Sequence, residues 1–135
     1  MNLSYDMFER VFNIKVKIHG FLKNITDNTI EYIDTTCKIQ NNKYIYIIDD
    51  TTYTITNKRD EVIFNRDNPE INHTIFFHPT TITKSEYYIK ELHHSLEFNI
   101  KTNRLEIINN KFIINYQILE TNNEYEYIIE MSDIK

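Results

Sequence analysis

Apolar and polar residues alternate with a period of two along almost the whole chain. Phe12, Ile14, Val16 and Ile18 are interleaved with Asn13, Lys15, Lys17 and His19, and Leu96, Phe98 and Ile100 with Glu97, Asn99 and Lys101. Successive side chains of a β-strand point to opposite faces, so each run makes one apolar and one wetted face. Helical spacing is confined to residues 3–11. There Ser4 is placed to cap, and Leu3, Met7, Phe8 and Val11 share a stripe, although the stretch reads equally as the start of the first strand.

The rhythm predicts strands at 10–22, 29–39, 43–48, 51–56, 61–65, 71–78, 83–89, 96–102, 105–108, 112–119 and 124–131. Between them lie Asn- and Asp-rich stretches: 24–28, Asn41-Asn42, Asp49-Asp50, 57–60, Asp67-Asn68-Pro69, Thr102-Asn103, Asn109-Asn110 and Thr121-Asn122-Asn123. These residues tolerate left-handed backbone and bond their own main chain, which suits hairpin loops. Many short strands joined by tight turns predict an all-β fold: a single antiparallel, mostly up-and-down β-barrel of about eight to ten strands. There is no long crossover for a Greek key, and closure removes edges that would make so Ile-rich a chain aggregate. No linker or repeat divides residues 1–135, so one domain is expected.

Composition sharpens this reading. Alanine, the best helix former, is absent, and Ile, Tyr and Phe carry the apolar share. Only one glycine, Gly20, is present, so Asn must occupy turns that need a positive φ. A formal net charge of -5 repels phosphate backbones and anionic lipid, which argues against nucleic-acid and membrane partners. No apolar run approaches the roughly 20 residues of a spanning helix. Residues 1–10 lack a basic start followed by an apolar stretch, and a cytoplasmic protein is expected. The lone Cys37 has no intrachain partner and reads as a small buried side chain.

Some strands are apolar on both faces. Tyr44, Tyr46 and Ile48 oppose Ile45 and Ile47; Phe112, Ile114, Tyr116 and Ile118 oppose Ile113 and Leu119; Phe77 opposes Phe76. One set of each must face outward, so cover by the amino-terminal segment or by a second subunit is expected, with a homodimer favoured.

Three stretches carry a family resemblance: residues 61–66 (EVIFNR), ending in Arg66 before a turn; 96–102 (LEFNIKT); and 112–118 (FIINYQI), with its apolar, apolar, Tyr alternation. The chain resembles, over residues 15–129, the YwiB-like family of small bacterial β-barrel proteins. The resemblance implies a calycin-type, lipocalin-like fold and lends no activity. Family members place Gly after the Arg and again before the strand at 96, where this chain has Asp67-Asn68 and His93-His94-Ser95. The lipocalin Gly-then-Trp signature is missing, since the chain has no Trp.

Of the five histidines, His73 and His78 fall on opposite faces of one strand and His93 and His94 diverge, so they read as scattered surface residues with no metal site. Glu124, Glu126 and Glu130 share one face of the last strand opposite Tyr125, Tyr127 and Ile129, as a solvated outer face would. A single glycine excludes Gly-rich phosphate loops and dinucleotide fingerprints, and no nucleophile elbow is present. Lys15, Lys17 and His19 form a modest basic row. Arg66, at a strand end that matches the pattern of the resembling family, is placed to reach inward to an acid or to a ligand carboxylate, or equally to tie one turn to its neighbour.

These observations lead to a non-enzymatic barrel with no cofactor, holding a small apolar or amphipathic ligand. Phe12, Val16, Phe98, Tyr116 and Tyr127 are expected to line its cavity, with Arg66 as the charged candidate. The alternative is a filled barrel acting as a structural or interaction module through an apolar outer strip.

Overall fold

A computed structural model describes residues 13–132. Phe12 and the stretch 3–11 lie outside the described residues. Ten antiparallel strands close into one barrel: β1 (Asn13–Asn24), β2 (Thr29–Gln40), β3 (Lys43–Ile48), β4 (Thr51–Lys58), β5 (Glu61–Asp67), β6 (Ile71–Phe77), β7 (Thr83–Ile89), β8 (His94–Ile108), β9 (Lys111–Ile118) and β10 (Asn123–Ser132). Each pairs with its neighbours in sequence, and β1 pairs with β10 to shut the ring. No helix among the described residues is long and apolar enough to cross a membrane.

Ten strands stand where eleven segments are predicted. Thr102-Asn103, read as a turn, is instead a bulge in β8: Thr102 is opposite Tyr116 and Arg104 opposite Asn115 on β9, and the strand runs on. One extra residue changes the parity of the inward face from Ile100 and Thr102 to Leu105.

Register settles the strands that are apolar on both faces. Cys37 lies opposite Tyr46, and Tyr46 opposite Tyr53, so the even residues of β3 face inward. Tyr46 is 2% exposed and Ile47 59%. By the same pairing Phe112, Ile114 and Tyr116 enter the core with Phe77, leaving Ile113 and Phe76 outside.

Asparagine does stand in for glycine. Asn28, Asn41, Asn109, Asn110 and Asn122 adopt positive φ, as do Asp49 and His93. His93, just before β8, stands in the left-handed region at φ 47°. At Asp67-Asn68 no positive φ is needed, because the Asn68 side chain closes the turn by accepting bonds from the Glu70 and Ile71 amides, both at 2.9 Å. A left-handed His costs about 1–2 kcal/mol, more than the entropy cost of glycine. His93→Gly is therefore expected to raise stability by about 0.5 kcal/mol, and His93→Val to lower it by about 1 kcal/mol, in urea unfolding.

The one glycine serves closure. Gly20 sits mid-strand, opposite Ile33 on β2 and Ile129 on β10. A Cβ there would stand 1.9 Å from the Ile128 carbonyl oxygen, so β10 approaches β1 only because no side chain intervenes.

Candidate functional site

The barrel interior divides along its axis. At the end bearing the β2–β3, β4–β5 and β8–β9 turns, Ile18, Cys37, Ile55, Val62, Phe112 and Ile114 are all at most 1% exposed. Packing of this kind leaves no room for a ligand. Aromatic contacts made across the barrel run from this packed end toward the middle. The rings of Tyr44 and Phe112 meet edge to face at 4.8 Å, Phe77 and Tyr116 lie 4.9 Å apart, and Phe64 and Tyr127 meet at 5.3 Å. Such pairs contribute about 0.5–1.5 kcal/mol each beyond the area they bury. The phenol oxygens of Tyr46 and Tyr127 share a hydrogen bond that ties β3 to β10.

Beyond this plug the interior opens into a cavity of about 420 Å³. Its floor includes Tyr46, Tyr127 and Phe64; Ile33 and Ile75 form aliphatic wall; Thr29 and Glu31 lie at the exposed rim. Tyr46 stacks on Tyr53 at 4.7 Å on one side, and Tyr116 on Tyr125 at 5.1 Å on the other. The β1–β2 hairpin leans on the start of β10, where Ile25 N donates to the Glu124 carbonyl at 2.8 Å and Glu124 N donates to Thr26 Oγ1 at 2.9 Å. This hairpin forms one lip of the mouth.

Among the described residues, polar chemistry in the cavity comes from phenols, Arg66 and His73, with Asn24, Thr29 and Glu31 added around the mouth. Burial pushes the hydroxyls of Tyr46, Tyr116 and Tyr127 above the ordinary tyrosine range, so they remain neutral donors and acceptors. Arg66 shares the inward face of β5 with Val62 and Phe64, flanked by Tyr53 on β4 and His73 on β6. Its Nε is buried without a hydrogen-bond partner. Among the described residues no carboxylate pairs with it. His73 packs its ring on Tyr87 at 5.0 Å. Burial, aided by the Arg66 charge, lowers its pKa to about 4, so it is neutral near pH 7.

Of the residues expected to line the cavity, Arg66, Tyr116 and Tyr127 do so. Val16 does not: it pairs with Cys37 in the packed half, and β1 reaches the cavity only through Leu22 and Asn24. Phe98 does not either. It pairs with Ser85 and precedes Ile100, the first β8 residue registered with β9, and it is half-buried away from the lining. Phe12 lies outside the described residues. His73, read as a surface residue, is the main correction, since Ile71, His73, Ile75 and Phe77 share one parity and the last two are core. That parity was the signal that it points inward. Tyr46, Tyr53 and Tyr125 are further lining residues that the spacing did not single out. Cys37 is buried, and burial pushes its thiol up to about 11, which makes it inert.

No protein-family model matches the sequence, and no curated protein sequence does. The fold is similar to the crystal structure of the YwiB protein from Bacillus subtilis. The TM-score is 0.65 with 13% sequence identity, over 90% of this chain and 91% of that one. At this identity the likeness is one of fold, and it extends over nearly the whole of both chains.

Proposed function

We propose that this barrel is a binding protein for a small apolar or amphipathic molecule held in its open half. The observation that carries the reading is the half-empty interior, a cavity of about 420 Å³ above an aromatic plug. Ligand sites typically occupy about 300–1,000 Å³ and combine apolar walls with a few orienting polar groups. Stacked tyrosines supply both, since their rings are apolar and their hydroxyls donate. Binding rather than catalysis fits the buried groups, because burial lowers His73 to about 4 and raises the phenols of Tyr46 and Tyr116, so all three stay neutral near pH 7. A single buried cysteine is in keeping with a cytoplasmic setting.

The test uses N-phenyl-1-naphthylamine, a neutral fluorophore that brightens out of water. Saturable one-site binding, with a dissociation constant on the order of micromolar, is expected. Ile118→Trp, which fills the lining, should abolish the signal while circular dichroism keeps its β form. Absence of saturable binding, or full binding by the Trp variant, would overturn the reading.

A second reading, action through homodimer or partner contacts, is favoured by an outer apolar row. Tyr32, Phe21, Ile128 and Ile113 lie side by side across β2, β1, β10 and β9, and Tyr32 is 76% exposed. Native mass spectrometry weighs the two: a monomer retaining one probe molecule supports the cavity, whereas an empty dimer supports the row.

A further inference from the structure

We infer that the cavity selects a compact aromatic carboxylate, with Arg66 as the anchor for its charge. The inference rests on the cavity reading above and names the ligand chemistry.

The guanidinium keeps its charge at any physiological pH and needs acceptors in the plane of its fork. Here Arg66 Nε is buried with no acceptor, and no carboxylate of the described residues pairs with the side chain. A buried donor left unmade is costly, more so on a charged group. Its flanking neighbours on β4 and β6 do not relieve it. Tyr53 directs its hydroxyl to Glu31 Oε1 at 3.5 Å, and the His73 ring packs on Tyr87. The one carboxylate of the lining, Glu31, lies exposed at the rim and is engaged with that Tyr53 hydroxyl. The lining thus presents one cation that no protein carboxylate meets, its Nε shut away from solvent without an acceptor, and an incoming anion would complete it in bidentate fashion.

The rest of the ligand follows from the walls. Tyr46 and Tyr53 stack with their planes 7° apart, and Tyr116 and Tyr125 with theirs 14° apart. These flat faces stand on β3–β4 and on β9–β10, with Phe64 between them on the floor. Ring faces offer offset-stacked and edge-to-face seats to a planar group. One or two fused rings bearing a carboxylate match both the charge and the roughly 300–1,000 Å³ scale on which such ligands are held.

Three ligands sharing one ring system make the test: 1-naphthoate, 1-naphthalenemethanol and 1-naphthylmethylamine, each displacing N-phenyl-1-naphthylamine from the protein. Naphthoate is expected to bind at least about 10-fold more tightly than the alcohol, and the amine more weakly than either. Arg66→Met should bring the acid-to-alcohol ratio to about one while leaving alcohol affinity within roughly 3-fold. Arg66→Lys, which keeps the charge but loses the fork, should retain an intermediate ratio. Equal affinities for acid and alcohol in the unmodified protein, or a preference that survives Arg66→Met, would overturn the inference while leaving the cavity reading intact. Failure of all four naphthalene compounds to bind would overturn both.

Discussion

Replacing Gly20 by alanine is expected to lower stability by about 3 kcal/mol, the upper end of overpacking penalties. The ordinary objection to such a change, loss of a special backbone angle, does not apply, because Gly20 is absent from the positive-φ residues. The cost is one of space. The new methyl would lie 1.9 Å from the Ile128 carbonyl oxygen, 2.9 Å from its carbon and 3.0 Å from Ile129 Cα, all backbone atoms without a rotamer to yield. Relief requires β10 to move away from β1, and that pair is the seam where first and last strands meet. Opening it exposes two strand edges, with Ile18, Leu22 and Ile129 close by, and exposed edges template aggregation. Thermal unfolding followed by far-ultraviolet circular dichroism should show a midpoint lower by about 10 °C, with increased light scattering. Ile18→Val, which trims a buried neighbour without crowding the seam, should cost about 1 kcal/mol and leave scattering unchanged. A midpoint for Gly20→Ala within about 2 °C of the parent would show that the seam tolerates a side chain.

The role of Gly20 was hidden for a reason that applies to much of the site. Alternation states which face a residue occupies and says nothing of its height along the barrel axis, which depends on strand tilt and stagger at closure. Arg66 was legible because Val62 and Phe64 share its parity and it stands next to the end of the strand. Val16 has inward parity too, yet closure places it beside Cys37 in the packed half. A different limit explains why Tyr46 was not found, since β3 alternates Tyr with Ile and either face could have been the core. Only the pairing of Tyr46 with Cys37 and Tyr53 decides the matter. Turn chemistry was read well where Asn adopts positive φ and misread at Thr102-Asn103, where two polar residues make a bulge within a continuing strand. Leu105 following Ile100 at an odd spacing was the trace of that bulge, because an uninterrupted strand would have kept even parity.

Acidification from pH 7 to pH 4 is expected to lower stability by up to about 3 kcal/mol through His73 alone, taking about 1.4 kcal/mol per pKa unit. In the unfolded chain this imidazole takes up a proton near its ordinary value of 6.5, whereas burial beside the Arg66 charge holds off protonation in the barrel until about 4. Between those values the unfolded state binds more protons, so stability falls as pH falls through the window and levels off below it. Carboxylates act in a lower range. Asp67, bonded by Lys90 at 2.8 Å, and Glu120, which accepts from the Asn99 amide at 2.7 Å, are both held below their ordinary values of 3.8 and 4.5. Their contributions are present above those values and are lost only as pH drops beneath them. Urea unfolding at intervals between pH 7 and pH 5, above the range of these carboxylates, therefore isolates the histidine, and His73→Gln should flatten most of the slope there. A slope unchanged by that substitution would mean that His73 is already wetted in the folded barrel. It would then stand in water at the mouth, and Arg66 would lose the dry surroundings that make its unmet donor costly.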